Sequence, residues 1–257
     1  MDSLLAIPLI SAIVSIAGNL AVFRKASFLI AGVAHSALAG VALAIFLASI
    51  GIELDYFLVA TLFAIFFALI ATTFSKFSDI DTGIGVSFAL AMAVAVILIS
   101  LTRGYTAKLW AFLFGELFLM TEKDFLYISI ALIAILLLFG FFYDKLIFFL
   151  FDPEGAEASG INPKLIDAIV VVIVAIAVVA VIRAVGAILA YSIFVAPSAV
   201  AKKFSKSVAQ SLIYSFLITL LCLLFGLIFS SGIPISASAI SAFVASLIYL
   251  LVAIEKS

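Results

Sequence analysis

Apolar runs of roughly 17–22 residues, separated by short polar breaks, organise almost the whole chain. They fall near 4–22, 28–50, 56–73, 83–101, 125–142, 166–182, 184–201, 208–229 and 237–254. A helix rises 1.5 Å per residue, so about 20 residues cross the ~30 Å hydrocarbon layer of a bilayer. Each run therefore predicts a membrane-spanning helix. The pair 166–182 and 184–201 is separated only by Arg183, with Gly186 marking a turn. The alternative there is one long kinked helix, so the count is eight or nine. Between 102 and 124 the pattern changes: polar TRGYTAKLW, then apolar AFLFGELFLM, then polar TEKD. An apolar segment of about ten residues cannot span, which predicts a re-entrant or interfacial piece.

Composition supports the same picture. The 257 residues are 68% hydrophobic and 11% charged, more apolar surface than a soluble domain can bury. The expected fold is an all-α, polytopic membrane helical bundle of about 8–9 spans, one domain over residues 1–257, surrounded by lipid. Loop charges orient it. With nine spans and the N-terminus outside, nine of the 13 basic residues fall inside: Arg24, Lys25, Lys76, Lys145, Lys164, Lys202, Lys203, Lys206 and Lys256. Arg103, Lys108, Lys123 and Arg183 fall outside, an asymmetry that satisfies the positive-inside rule. A formal net charge of −1 offers nothing to nucleic acid. Cys222 stands alone in an apolar run, so neither a disulfide framework nor a thiolate cluster is expected. Asp2 precedes the first positive charge, and residues 1–22 are expected to span rather than to be a cleaved signal.

The only histidine, His35, lies inside the second span. An ionisable group at that depth is costly and faces a protein interior or a water path. Gly32, Ser36, Gly40, Ala44 and Ala48 recur every fourth residue and form a small-residue stripe suited to close helix packing. His35 sits about 100° round from Ser36, beside that stripe. An imidazole there suits a transition metal; the plainer reading is a hydrogen-bonded packing residue. Glu116 is the only carboxylate within the apolar segment 113–120 and is a second pathway candidate, or else an interfacial side chain facing water. Asp79 and Asp81 open a helix, where negative charge complements the dipole. Pro197 is expected to kink the end of a span.

The loop 143–165 predicts a short helix near 153–159. Asp152 suits the N-cap, Pro153 the first helical position, and Glu154 and Glu157 the first turn. Gly160 suits the C′ stop, and Asn162-Pro163 starts the next span. A capped helix is more than a connector needs, which points to a docking surface. There is no G-x-x-x-x-G-K-[ST] loop, so the chain is not expected to bind ATP itself. It has neither an H-E-x-x-H zinc motif nor the string of buried carboxylates of a proton-coupled carrier.

Taken in order, these motifs resemble the permease family of zinc- and manganese-type ATP-binding-cassette importers over nearly the whole length. The family's basic pair is similar to Arg24-Lys25, and its D-x-x-x-H-A-x-x-x-G segment to Ala31 through His35 to Gly40. Its D-x-x-x-G element is similar to Asp81 through Gly85, and its L-F-G-D element to Leu113 through Glu116. Its D-P-E-x-A-x-x-x-G-I loop is similar to Asp152, Pro153, Glu154, Ala156, Gly160 and Ile161. Its V-G-x-x-L and P-x-x-x-A elements are similar to Val185-Gly186-Leu189 and Pro197-Ala201. Ala31 departs from the family's aspartate, which leaves His35 and Glu116 as metal contacts.

The resemblance implies a multi-pass permease of the cytoplasmic membrane that transports a divalent metal, zinc or manganese, and is not itself an enzyme. It implies a homodimer, two cytoplasmic ATPase subunits docked on 152–160, and an extracellular metal-binding protein. No tightly bound cofactor is expected; the metal passes through. The alternatives are an importer of a metal chelate of siderophore or corrin type, which Ala31 suits, and a stand-alone secondary carrier.

Overall fold

In hydrocarbon a backbone must satisfy its own polar groups, and these apolar runs do so as helices. The computed structural model describes residues 2–74, 80–102, 106–115, 117 and 120–255. The helices are α1 (Asp2–Phe23), α2 (Phe28–Ser49), α3 (Tyr56–Phe74), α4 (Ile80–Leu101), α5 (Thr106–Phe114) and α6 (Glu122–Phe141). They continue as α7 (Tyr143–Phe151), α8 (Pro153–Ala158), α9 (Pro163–Val185), α10 (Ala190–Phe204), α11 (Val208–Ser230) and α12 (Ala237–Ile254). Among the described residues eight helices are long and apolar enough to cross a membrane: α1, α2, α3, α4, α6, α9, α11 and α12. After residue 102 the chain forms the 9-residue α5, too short to span; it takes in Thr106–Trp110 of the polar stretch and only Ala111–Phe114 of the apolar one.

The expected span at 184–201 differs. Arg183 is no boundary: α9 runs through it to Val185 and stops at Gly186, whose φ of 91° no helix tolerates. The remainder, α10, has 15 residues, about 22 Å of helix, and contains Pro197. Its first turn meets α12, where Ser192 Oγ donates to the Ala242 carbonyl at 2.8 Å. Its last turn sits where α1 and α12 end: Lys202 Nζ approaches the Val22 carbonyl and Lys203 Nζ donates to that of Val252. Residues 186–204 thus return the chain from the Arg183 end of the bundle to the Arg24 end, with α10 and the Gly186 turn sharing the distance.

The pillar of the bundle is α9, which packs against α1, α2, α3, α5, α6 and α10. An ion pair marks each of its ends. Arg24 reaches Asp167 at one, and Arg183 Nη1 lies 2.8 Å from Asp124 Oδ1 at the other. Between α1 and α11 the contact is small and polar: Asn19 donates to Ser215 Oγ and accepts from Ser211 Oγ, all three buried. Such hydrogen bonds join helices where apolar burial cannot discriminate protein from lipid.

Candidate transport site and docking helix

The stripe on α2 is consumed by packing. A Cβ on Gly32 would fall 2.9 Å from Ile84 of α4, and one on Gly40 would fall 2.7 Å from Ala60 of α3. Ser36 Oγ turns back to the Gly32 carbonyl at 2.8 Å. His35 lies off this seam on the more open side of α2, half-buried like Ala31 one turn before it. Its Nδ1 is 2.9 Å from the Ala31 carbonyl oxygen. A carbonyl only accepts, so Nδ1 carries a hydrogen, and in the neutral ring the lone pair is then on Nε2. The ring stands edge-on to Phe88 of α4, with centroids 4.8 Å apart. Metal-bound imidazoles are commonly held this way, with one nitrogen anchored to the backbone and the other free. Among the described residues no group of three or more metal-ligating side chains assembles. Glu116 and Asp79 lie outside the described residues. Asp81 lies in the first turn of α4.

Near the Arg183 end two glycines meet. Gly115, just past α5, has φ 58°, and a Cβ there would come 2.2 Å from Gly186 N. The reverse holds as well: a Cβ on Gly186 would come 2.4 Å from the Phe114 carbonyl. Two backbone bonds close the contact, Ala187 N to Phe112 O at 3.1 Å and Ile188 N to Leu113 O at 3.2 Å. Two motifs some seventy residues apart thus form one backbone clasp, beyond what either suggests alone. Sequence reasoning also missed Asp124, buried at the head of α6. Its Oδ2 accepts from the Thr121 backbone N–H, while Thr121 Oγ1 caps its N–H. Arg183 pairs with the other carboxylate oxygen. Beside them Tyr127 donates to Asp55 at 2.7 Å, and a cleft of about 310 Å³ opens between Asp55, Tyr56, Lys123, Tyr127 and Arg183. The only advance signal was T-x-x-D, a weak capping pattern.

At the Arg24 end α8 forms as its residues dictate. Asp152 Oδ1 accepts from Gly155 N at 2.9 Å, Pro153 occupies the first position, and Glu154 lies in the first turn. Gly160 has φ 83°, and Ile161 N reaches back to the Ala156 carbonyl at 3.0 Å, the long bond of a Schellman stop. Ala156 is 0% exposed against the bundle, while Asp152, Pro153, Glu154 and Gly160 are exposed. Asn162 caps α9 through Lys164 N and Leu165 N. The fold does not bring α8 and His35 together; they sit on different helices.

Across residues 1–256 the sequence matches the family described as the ABC 3 transport family. The chain belongs to that family. It is a multi-pass cell-membrane protein of the permease type. Among its relatives is the high-affinity zinc uptake system membrane protein ZnuB of Haemophilus influenzae, 27% identical over 215 residues, 83% of this chain and 81% of that one. The manganese import system permease protein ScaB of Streptococcus gordonii is 26% identical over 215 residues, 83% of this chain and 76% of its own length. The solved structure of PsaBC from Streptococcus pneumoniae in complex with Fab has the same fold, with a TM-score of 0.85 at 24% identity over 98% of this chain and 89% of that one.

Proposed function

We propose that this ABC 3 family permease is the membrane subunit of an ATP-driven importer for a divalent transition-metal ion, zinc or manganese. The observation that carries the reading is His35. Its Nδ1 is spent on the Ala31 carbonyl, and on the half-buried ring Nε2 makes no hydrogen bond among the described residues. An imidazole nitrogen suits zinc, whereas manganese draws more on oxygen ligands, and so sparse a ligand set holds either ion without trapping it, as passage requires. A relative that is a zinc uptake membrane protein and another that is a manganese permease support the choice of ion. One imidazole per chain is half a site. A two-fold partner would supply the second, with Glu116 as a further contact in place of the carboxylate absent at Ala31. Two ATPase subunits dock on the exposed face of α8, through Asp152, Pro153, Glu154 and Gly160, with Ala156 anchoring the helix from beneath. A metal-binding protein delivers the ion at the opposite, Arg183 end. The permease is a carrier throughout residues 1–257, with ATP hydrolysis in the partner and no resident cofactor.

The test is uptake at limiting metal by vesicles holding the permease with its ATPase and binding protein. His35→Ala and His35→Gln should each lower uptake at least ten-fold while the melting temperature and ATPase co-purification stay unchanged. An amide keeps the hydrogen bond to Ala31 but offers no imidazole nitrogen. Wild-type uptake by the Gln variant would reduce His35 to a packing residue.

A further inference from the structure

We propose that Arg24 and Asp167 are positioning residues that make α2, the helix of His35, follow the movement of α8. The inference rests on the import reading above. Both Nε and Nη2 of Arg24 converge on Asp167 Oδ1 at 2.5 Å, across 143 residues of sequence. The Arg24 side chain is only 7% exposed, and Asp167 is 24% exposed. Nothing else at this end of α9 bridges to the α1–α2 turn by a charge pair among the described residues.

Each side of the pair is firmly tied to a different working part. On the Asp167 side, α8 passes to α9 through the Gly160 stop, the Ile161–Ala156 bond and the Asn162 cap, with every step hydrogen-bonded. Asp167 lies in the second turn of α9, so it moves with α8. On the Arg24 side, the α1–α2 turn is equally closed. Arg24 N bonds Leu20 O, Ala26 N bonds Ala21 O, and Leu29 N bonds Ala26 O. Lys25 holds φ 59°, a left-handed conformation that non-glycine residues rarely adopt. His35 follows two helical turns into α2. From Asp152 to His35, the Arg24–Asp167 contact is the one non-covalent link by charge among the described residues.

The pair is also unevenly satisfied. Two donors share one oxygen, while Nη1 is buried without a hydrogen-bond partner among the described residues. Buried donors are nearly always paired, so an orphan on a charged group suits a contact that rearranges rather than one optimised for stability. A guanidinium fork can trade one oxygen for two as the helices shift, which a lysine cannot do.

The test uses vesicles holding the complete assembly, with metal uptake and ATP hydrolysis measured on the same sample. Asp167→Asn and Arg24→Lys should cut metal transported per ATP hydrolysed about ten-fold. ATP hydrolysis should stay within two-fold of wild type, and the melting temperature within a few degrees. The double variant Arg24→Gln with Asp167→Asn removes both charges together and should remain uncoupled. Wild-type uptake per ATP in either single variant would overturn the proposal. So would recovery in the neutral double variant, or loss of hydrolysis, uptake and thermal stability in parallel, each the mark of a pair that only stabilises the fold. If the wild-type assembly itself shows no ATP-dependent uptake, the import reading fails instead.

Discussion

Gly186 illustrates how much one missing Cβ can decide. Its φ of 91° ends α9, and its bare α-carbon lets the Phe114 carbonyl approach where a methyl group would sit 2.4 Å away. Gly140 in α6 is the contrasting case, an ordinary helical setting in which an added Cβ would meet nothing within 4 Å. Gly186→Ala should therefore destabilise by at least about 2 kcal/mol, from the strained backbone and the clash with a neighbour that cannot yield. Gly140→Ala should instead stabilise, by up to about 0.5–1 kcal/mol, because alanine suits a helix better than glycine and Gly140, in the last turn of α6, is not among the positive-φ glycines. Thermal melts of the two variants in detergent check both signs. Equal effects would mean that the clasp with Gly115 is loose.

Among the elements, α8 carries the clearest local code. Its six residues are too few to form a stable helix alone, so the caps and the burial of Ala156 hold it. Gly160 has open space around a would-be Cβ, so a substitution there acts through the backbone only. Gly160→Val forces a β-branched residue into the left-handed region, at about 1–2 kcal/mol. It should unwind the end of α8, leave insertion intact, and break the link between ATP hydrolysis and uptake. Normal uptake per ATP in that variant would sink the docking role of α8. The pair α9 and α10 shows the converse, an element whose limits depend on its neighbours. A window of apolar residues cannot distinguish two spans from a long helix followed by a short one. Arg183 looks like a break in sequence, but paired with Asp124 and extended across the face of Phe57 it sits within the last turn of α9.

For the molecule as a whole, the contacts place residues 202–207, the last turn of α10 and the link after it, with the ends of α1 and α12, and 231–235 at the opposite end with the start of α12. Lys25, Lys145, Lys164, Lys202, Lys203 and Lys206 gather at the first of these, which under the positive-inside rule faces the cytoplasm. Residues Ser231 and Lys206 are both exposed, and the native Cys222 is buried. In intact cells a cysteine at position 231 should react with an impermeant thiol reagent added outside, and one at position 206 should not. The reverse pattern would invert the orientation.

Hydropathy by itself determined that the chain is a helical membrane bundle, because only helices of sufficient length satisfy their backbone in lipid. Short-range chemistry likewise determined α8, since Asp152, Pro153 and Gly160 act within their own few residues. His35 was legible as an ionisable group in an apolar span. Only the tertiary structure decided which side of α2 is closed, since the same small-residue stripe fits any close neighbour, and Ile84 and Ala60 proved to be the ones. It alone decided that Leu113–Gly115 meets Val185–Gly186, that Asp124 receives Arg183, and that Arg24 reaches Asp167. Those contacts join positions tens to more than a hundred residues apart. No local propensity encodes them; they follow from how α9, apolar on nearly every side, gathers the other helices round it.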